Sequence, residues 1–197
     1  MVGTNAFISY FPMLNFTLFD KENIFTDDID LVQSSTISYA MHDAMDVHLI
    51  TALKEVANFS PVAAHEHPIH WETEIDNVQF KVDVLTPEIH GQEPQHRLPA
   101  LGGAFGSSIP YMDYLIYQEI RAVSLQGGGI PMNVPRPERF AVHKMIISTC
   151  RRLGRKGPEY LREKIQKDRA QASLLFKVLL ERSPEKLATA INDALDT

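Results

Sequence analysis

Cysteine is almost absent from this 197-residue chain, and long apolar runs are missing from it altogether. Cys150 is the only cysteine, which excludes an intramolecular disulfide and fits a reducing, cytoplasmic compartment. No apolar run approaches the ~20 residues that span a bilayer, so no membrane partner is expected. The first residues lack a basic stretch followed by an apolar core, so no signal peptide is predicted. A Gly-x-Ser-x-Gly elbow is also lacking, which argues against a serine hydrolase of that type.

Positive charge is scarce in the first two thirds of the chain. Residues 1–134 contain 5 Lys and Arg against 17 Asp and Glu, whereas residues 135–197 contain 14 against 8. This asymmetry suggests two parts, with an anionic ligand held between a metal ion and cationic side chains. A helical C-terminal piece that simply carries solubilising Lys and Arg explains the charge equally well.

An acidic stretch at residues 26–32 has the alternation of a strand. That period puts Asp28 and Asp30 on one face, and Ile29 and Leu31 on the other, while Asp27 points away from its neighbours. Two carboxylates in this spacing suit a hard divalent cation. A half-exposed edge strand with solvated acids accounts for them as well, because short acidic strands are common.

The remaining periodicity predicts an α+β protein. Residues 69–76 and 78–85 have the pattern of an antiparallel pair around a turn at Asp76 and Asn77, and residues 117–125 and 130–134 that of a second hairpin. Helices are expected after the Gly3-Thr4 pair up to residue 10 with Thr4 as N-cap, from 47 to about 58 with Asp46 as N-cap, over 138–150, and from 157 and 184 onward. Residues 34–43 and 88–110 are expected to be loops.

A third carboxylate decides how the first two are interpreted. Asp83 falls on the polar face of the strand predicted over 78–85. If that strand neighbours residues 27–32, Asp28, Asp30 and Asp83 converge, and they repel one another unless a cation lies among them. Mg²⁺ ions held in this way orient a nucleoside triphosphate and stabilise in-line displacement at phosphorus. Spacing alone leaves the adjacency of the two strands open.

Several segments, in this order, resemble the nucleotidyltransferase superfamily that includes DNA polymerase β. Its signature is Gly-Gly/Ser, then Asp-x-Asp, then an Asp on a later strand. The segments that resemble these parts are Gly3-Thr4-Asn5-Ala6, Thr26-Asp27-Asp28-Ile29-Asp30-Leu31 and Val82-Asp83-Val84-Leu85-Thr86-Pro87. Residues 134–146, and Lys167-Asp168 followed by Gln171-Ala172, resemble a bacterial branch of this superfamily related to toxin-type nucleotidyltransferases. The resemblance covers most of the chain.

The resemblance implies a mixed sheet flanked by helices, with a catalytic domain over 1–134 and a helical subdomain over 135–197. Asp28, Asp30 and Asp83 would bind Mg²⁺ or Mn²⁺, with Asp83 binding metal or activating the acceptor hydroxyl. The implied nucleotide-binding residues are Gly3, Thr4, Lys144, Lys167 and Asp168. The implied partners are an NTP, an RNA, protein or small-molecule acceptor, and an antitoxin. A catalytically silent nucleotide- or partner-binding module on the same fold is the alternative.

Histidines offer a rival metal site. His65, His67 and His70, with Glu66 and Glu72 beside them, have the side chains of a zinc site. Pro68 breaks any helix there, and the spacing matches none of the usual structural zinc patterns.

Two further features are left with two interpretations each. Four cations, Arg151, Arg152, Arg155 and Lys156, suit a triphosphate or an RNA backbone, but a solvated loop is equally plausible. Asp168 lies within an apolar helical stripe, where either function or a hydrogen bond to a neighbouring helix would explain it.

Overall fold

The computed structural model of the chain describes residues 1–16, 26–41, 48–62, 67–124, 129–151 and 157–197. Its strands are β1 Asp28–Val32, β2 Ser60–Pro61, β3 His70–Ile75, β4 Val78–Pro87, β5 Gln95–Leu98, β6 Ala104–Ile109, β7 Ile120–Ser124 and β8 Ile130–Val134. Its helices are α1 Gly3–Met13, α2 Ser35–Met41, α3 Leu49–Ala57, α4 Met112–Ile116, α5 Pro137–Cys150, α6 Gly157–Arg182 and α7 Pro184–Leu195. The α+β class is therefore confirmed.

The chain forms two compact units. One comprises Met1–Asn5 and Thr26–Asp113, and the other comprises Ala6–Phe25 and Tyr114–Thr197. The division predicted at 134/135 stays a prediction. Among the described residues, no helix has both the length and the apolar character needed to cross a membrane.

Strand β4 is the centre of the sheet in the first unit. β3 pairs with it antiparallel, and β1 and β6 pair with it parallel, so the sheet is mixed as predicted. β5 joins β6 and β2 joins β3, both antiparallel. The predicted β3–β4 hairpin is confirmed, and Asp76 and Asn77 have φ values of +52° and +63° in its two-residue turn. Such a turn with two positive φ angles matches the twist of the strands and sets their register.

Alternation along β4 separates an apolar face of the sheet from a polar one. Val82 and Val84 are buried with Trp71 in the core of this unit, whereas Lys81 and Asp83 on the other face are half-buried. The apolar side chains of β1 and α3 pack against the same core, with Phe59, Leu98 and Ala104 completing it. The polar face therefore carries the side chains of this sheet that can take part in chemistry.

The predicted loop over 88–110 is wrong, because this stretch contains β5, β6 and a 3₁₀ turn at Pro99–Leu101. Gly106 is buried in β6, and a Cβ there would lie 3.0 Å from Leu98 and 3.2 Å from the backbone of Leu85. Close packing therefore requires a small residue at position 106. A glycine there makes the sequence of this strand resemble that of a loop. Gly102 and Gly103, both at positive φ, make the turn into β6.

The predicted loop over 34–43 is wrong as well, because Ser35–Met41 form α2. Ser35 and Ser38 are buried, and the Ser38 hydroxyl accepts a hydrogen bond from the Ala100 backbone N–H at 3.0 Å. A tertiary contact therefore stabilises a helix of low intrinsic propensity. Thr4 lies inside the first turn of α1 rather than capping it, and α3 begins at Leu49; the Asp46 cap lies outside the described residues.

The second unit contains the β7–β8 hairpin and the helices α5, α6 and α7, all close to their predicted bounds. Its aromatic cluster joins Phe7, Tyr10 and Phe140, with ring centroids 6.1 Å apart for the Phe pair and 5.4 Å apart for Tyr10 and Phe140. The Tyr10 hydroxyl donates to the Pro135 carbonyl at 2.8 Å. The long helix α6 turns Ala172, Leu175 and Leu179 inward, as its predicted stripe requires.

One row of polar side chains is buried on the apolar face of the first unit's sheet. Thr86 pairs with Ser108 on β6, and Gln33 continues β1 alongside them through a hydrogen bond from its N–H to the Leu85 carbonyl. The Thr86 and Ser108 hydroxyls and the Gln33 Oε1 are buried, and no described residue hydrogen-bonds to them. Each such atom carries a desolvation cost.

We expect Thr86→Val to raise the free energy of unfolding by about 1 kcal/mol, because the change removes a buried hydroxyl without a partner. Thr73→Val is the matched control, since the Thr73 hydroxyl donates to the Ala57 carbonyl at 2.5 Å. That variant should lose about 1 kcal/mol. Urea unfolding measures both. A destabilised Thr86→Val would mean that the Thr86 hydroxyl is hydrogen-bonded in solution.

Candidate active site

Two of the predicted catalytic carboxylates lie opposite each other on neighbouring strands. The parallel register of β1 and β4 pairs Asp30 with Asp83 and Asp28 with Lys81. Paired residues in adjacent strands project from the same face of a sheet, and Asp28 shares the face of Asp30 because the two are two residues apart. The adjacency on which the site prediction depended is therefore present, and all three carboxylates project from the polar face.

The amino end of α1 lies against this face. Val2 forms an antiparallel bridge with Asp30, in which its N–H donates to the Asp30 carbonyl at 2.9 Å, and the Asn5 side chain donates to the Asp28 carbonyl at 2.8 Å. Gly3 has φ +66°, and a Cβ at that position would lie only 1.8 Å from Oδ2 of Asp30. The Asp30 carboxylate thus occupies the space that any side chain at position 3 would need.

We expect Gly3→Ala to disturb this contact and, at the predicted metal site, to weaken binding of Mn²⁺, because the new methyl group must displace the Asp30 carboxylate. Gly91→Ala is the matched control. Gly91 has φ +78° but nothing within 4 Å of its Cβ position, so this change should cost only the ~1–2 kcal/mol of left-handed backbone strain. Urea unfolding and Mn²⁺ titration followed by electron paramagnetic resonance measure the two effects. Equal losses in both variants would contradict the steric argument.

Strand β3 adds two polar contacts to the same face. The Nδ1 of His70 lies 2.7 Å from Oδ1 of Asp83, and the Lys81 ammonium lies 2.6 Å from Oε1 of Glu72. The hydrogen bond with Glu72, with the charges of Asp28 and Asp83 contributing less, raises the pKa of Lys81. Lys81 is therefore a cation at the edge of an acidic cluster, and neither it nor the His70 contact was among the site residues that the sequence predicted.

The donor set of this face fits a hard divalent cation. Carboxylates supply the oxygen ligands that Mg²⁺ prefers, and three carboxylates project from the two adjacent strands β1 and β4. Among the described residues, however, no group of three or more His, Cys, Asp or Glu side chains is gathered closely enough to hold a metal ion. The metal-binding role of Asp28, Asp30 and Asp83 therefore stays a prediction.

The histidines of the rival zinc prediction have separate partners. The His67 ring stacks on Phe105, with centroids 3.8 Å apart and planes at 15°, while His70 contacts Asp83. His65 lies outside the described residues, as do Arg152, Arg155 and Lys156 of the basic cluster. Within the described part of the chain, the histidines form no metal group.

In the second unit, Lys144 and Asp168 form a buried ion pair between α5 and α6. The Lys144 ammonium lies 2.7 Å from Oδ1 of Asp168, and Arg151 lies 2.6 Å from Oδ2. Burial alone acts to raise the pKa of the Asp168 carboxyl, but Lys144 and Arg151 outweigh it, so that pKa is lowered from its usual value of 3.8. Lys167 precedes Asp168 on α6 and is half-buried. The nucleotide-binding roles of Gly3, Thr4, Lys144, Lys167 and Asp168 stay predictions.

Comparison with known proteins identifies a family. A family model described as Nucleotidyltransferase matches residues 1–196. No curated protein and no solved structure matched the chain.

Proposed function

The chain belongs to the nucleotidyltransferase family whose model matches residues 1–196, and from that membership we propose that it moves a nucleoside monophosphate from a Mg²⁺-bound nucleoside triphosphate to a hydroxyl group. The observation that carries this proposal is the pairing of Asp30 with Asp83 across β1 and β4, with Asp28 on the same face. The acidic side chains of this sheet face suit metal ions, and the amino end of the neighbouring helix suits phosphate groups.

In this proposal Asp28, Asp30 and Asp83 hold Mg²⁺ or Mn²⁺. When bound, the cation neutralises charge on the phosphates and on the leaving group. Gly3 lies at the start of α1, where backbone N–H groups without helical partners can donate to a triphosphate. The lack of a side chain at position 3 lets Asp30 and the helix backbone come close together.

The transfer itself is a displacement at the α-phosphorus. The acceptor oxygen forms a bond to that phosphorus, the bond from phosphorus to the α,β-bridging oxygen breaks, and pyrophosphate leaves with the bonding electron pair. The proton of the acceptor hydroxyl passes to the Asp83 carboxylate, which acts as general base. In Asp83 one oxygen accepts from His70, and the other is free of hydrogen bonds from the described residues.

The finer identity of the reaction is part of the same proposal. The acceptor is an RNA, a protein or a small molecule with a free hydroxyl, and the kinship with toxin-type nucleotidyltransferases and an antitoxin partner stays a prediction. A catalytically silent module on the same fold is the competing proposal, and it differs from the first in binding nucleotide without turnover.

The test is incubation with each α-³²P-labelled NTP, with Mg²⁺ or Mn²⁺, and with cell RNA or lysate as the source of acceptors. Labelled product from the wild type and none from Asp28→Ala would support the proposal. Absence of product from the wild type, or equal labelling by Asp28→Ala, would overturn it. Metal-dependent nucleotide binding without any turnover would favour the silent module.

A further inference from the structure

The hydrogen bond between His70 and Asp83 follows from the geometry of the β3–β4 hairpin. His70 lies directly opposite Asp83 in the antiparallel register. The Val84 N–H donates to the Ile69 carbonyl at 3.0 Å, so Val84 turns its backbone toward β3 and Asp83 turns its backbone away. His70 and Asp83 therefore form a non-hydrogen-bonded pair, the kind in which facing side chains come closest.

The chemistry of the contact fixes which group donates. An ionised carboxylate can only accept, so the hydrogen lies on Nδ1 of His70 and the bond goes to Oδ1 of Asp83, at 2.7 Å. Oδ2 is then the oxygen left to take a metal ion or a proton. Glu72 holds Lys81, the neighbouring cation on this face, at 2.6 Å. Lys81 is thus engaged by another carboxylate while the imidazole holds Asp83.

We propose that His70 is a positioning residue for the third carboxylate of the site. Its Nδ1–H holds Oδ1 of Asp83 and keeps the side chain in one orientation, so that Oδ2 is presented to the metal ion and the acceptor hydroxyl. This inference rests on the proposed function, because it assigns His70 a role only through Asp83. Hydrogen-bonding partners of metal-ligating groups commonly contribute to metal affinity in this way.

The test measures Mn²⁺ affinity by electron paramagnetic resonance in the presence of α,β-methylene ATP. This binding measurement needs no acceptor substrate. His70→Ala removes the donor, and we expect it to weaken Mn²⁺ binding about 10-fold or more. His70→Asn puts an amide N–H at the position of Nδ1 and should recover most of the loss. His70→Gln puts its amide nearer to the position of Nε2 and should not. His67→Asn is the matched control and should bind as the wild type does, because His67 stacks on Phe105 instead.

The outcomes distinguish a failure of the role proposed for His70 from a failure of the proposed function. Equal Mn²⁺ affinity in every His70 variant, with weaker binding in Asp83→Asn, would overturn the role of His70 and leave the proposed function standing. Unchanged binding in Asp83→Asn would also overturn it, since His70 acts only through that carboxylate. A wild type that binds neither Mn²⁺ nor the analogue would overturn the proposed function itself. Circular dichroism checks folding, and if His70→Ala is unfolded, the comparison of Asn with Gln decides.

Discussion

In the proposed reaction, Asp30→Asn should lower nucleotide transfer by about 10³-fold, because the proposed divalent cation would contribute several kcal/mol to the transition state and each 1.36 kcal/mol is a factor of ten. Asp30 has neighbours on both β4 and α1. It is paired with Asp83 across the strands, and its Oδ2 lies against the backbone of Gly3. Asn keeps the size of the side chain but removes the charge that, in the proposed function, holds a cation. The rate of transfer from α-³²P-labelled NTP measures the effect.

Asp27→Asn is the control for that measurement. Asp27 is exposed and immediately precedes β1, and its backbone carbonyl, which accepts from the Lys81 N–H at 2.9 Å, is unchanged by the substitution. Its transfer rate should stay within a factor of two of the wild type, as expected for a surface change of about 0.5 kcal/mol or less. Similar losses in Asp27→Asn and Asp30→Asn would mean that general negative charge, rather than a specific metal ligand, supports the activity.

The partner of Asp83 could have been found from the sequence. The hairpin around Asp76 and Asn77 was predicted, and a two-residue turn there pairs residue 75 with 78 and, by simple counting, residue 70 with 83. His70 was instead grouped with His65 and His67 by their spacing along the chain. The spacing of residues along the chain identifies ligands on one helix or strand, whereas the pairing register of a hairpin identifies neighbours on two strands. For His70 the register was the stronger signal.

Other parts of the fold depend on tertiary contacts that no local pattern reveals. Gly106 lies in β6 because there is no room for a larger residue beside Leu98 and Leu85. Ser38 lies in α2 and accepts a hydrogen bond from Ala100, more than sixty positions away. Small and polar residues of this kind favour loops on propensity alone, so the prediction failed where packing overrides propensity.

The Lys144–Asp168 pair shows how a resemblance and a structure can assign different roles to the same residues. The resemblance implies that Lys144 contacts phosphate, whereas the described contacts of Lys144 are with Asp168 at 2.7 Å and with the Phe140 ring at 5.3 Å. Asp168 is 2% exposed. The sequence left open that Asp168 lies in an apolar stripe because it hydrogen-bonds to a neighbouring helix. Lys144 on α5 is such a partner.

We therefore expect Asp168→Ala to lower the free energy of unfolding by about 3–5 kcal/mol, because it leaves the buried ammonium of Lys144 without its counterion. Urea unfolding measures the loss. Lys177→Met, a change of an exposed Lys on the same helix, is the control and should have little effect. The double variant Lys144→Met with Asp168→Leu should regain most of the loss, since apolar residues can replace a buried ion pair at little cost. A loss in Asp168→Ala no larger than that in the control would contradict the prediction.

The lowered pKa of Asp168 adds a pH dependence with a definite sign. A carboxyl whose pKa is lower in the folded protein contributes stability above its usual pKa of 3.8, and this contribution is lost as the pH falls toward the folded value. The wild type should therefore lose stability on acidification below about pH 5 more steeply than Asp168→Ala does.

The double variant Lys144→Met with Asp168→Leu, once shown to be folded, also tests the implied nucleotide role of this pair. Binding of α,β-methylene ATP as tight as in the wild type would assign the pair to stability alone, whereas lost binding in a folded protein would support the role that the resemblance implies.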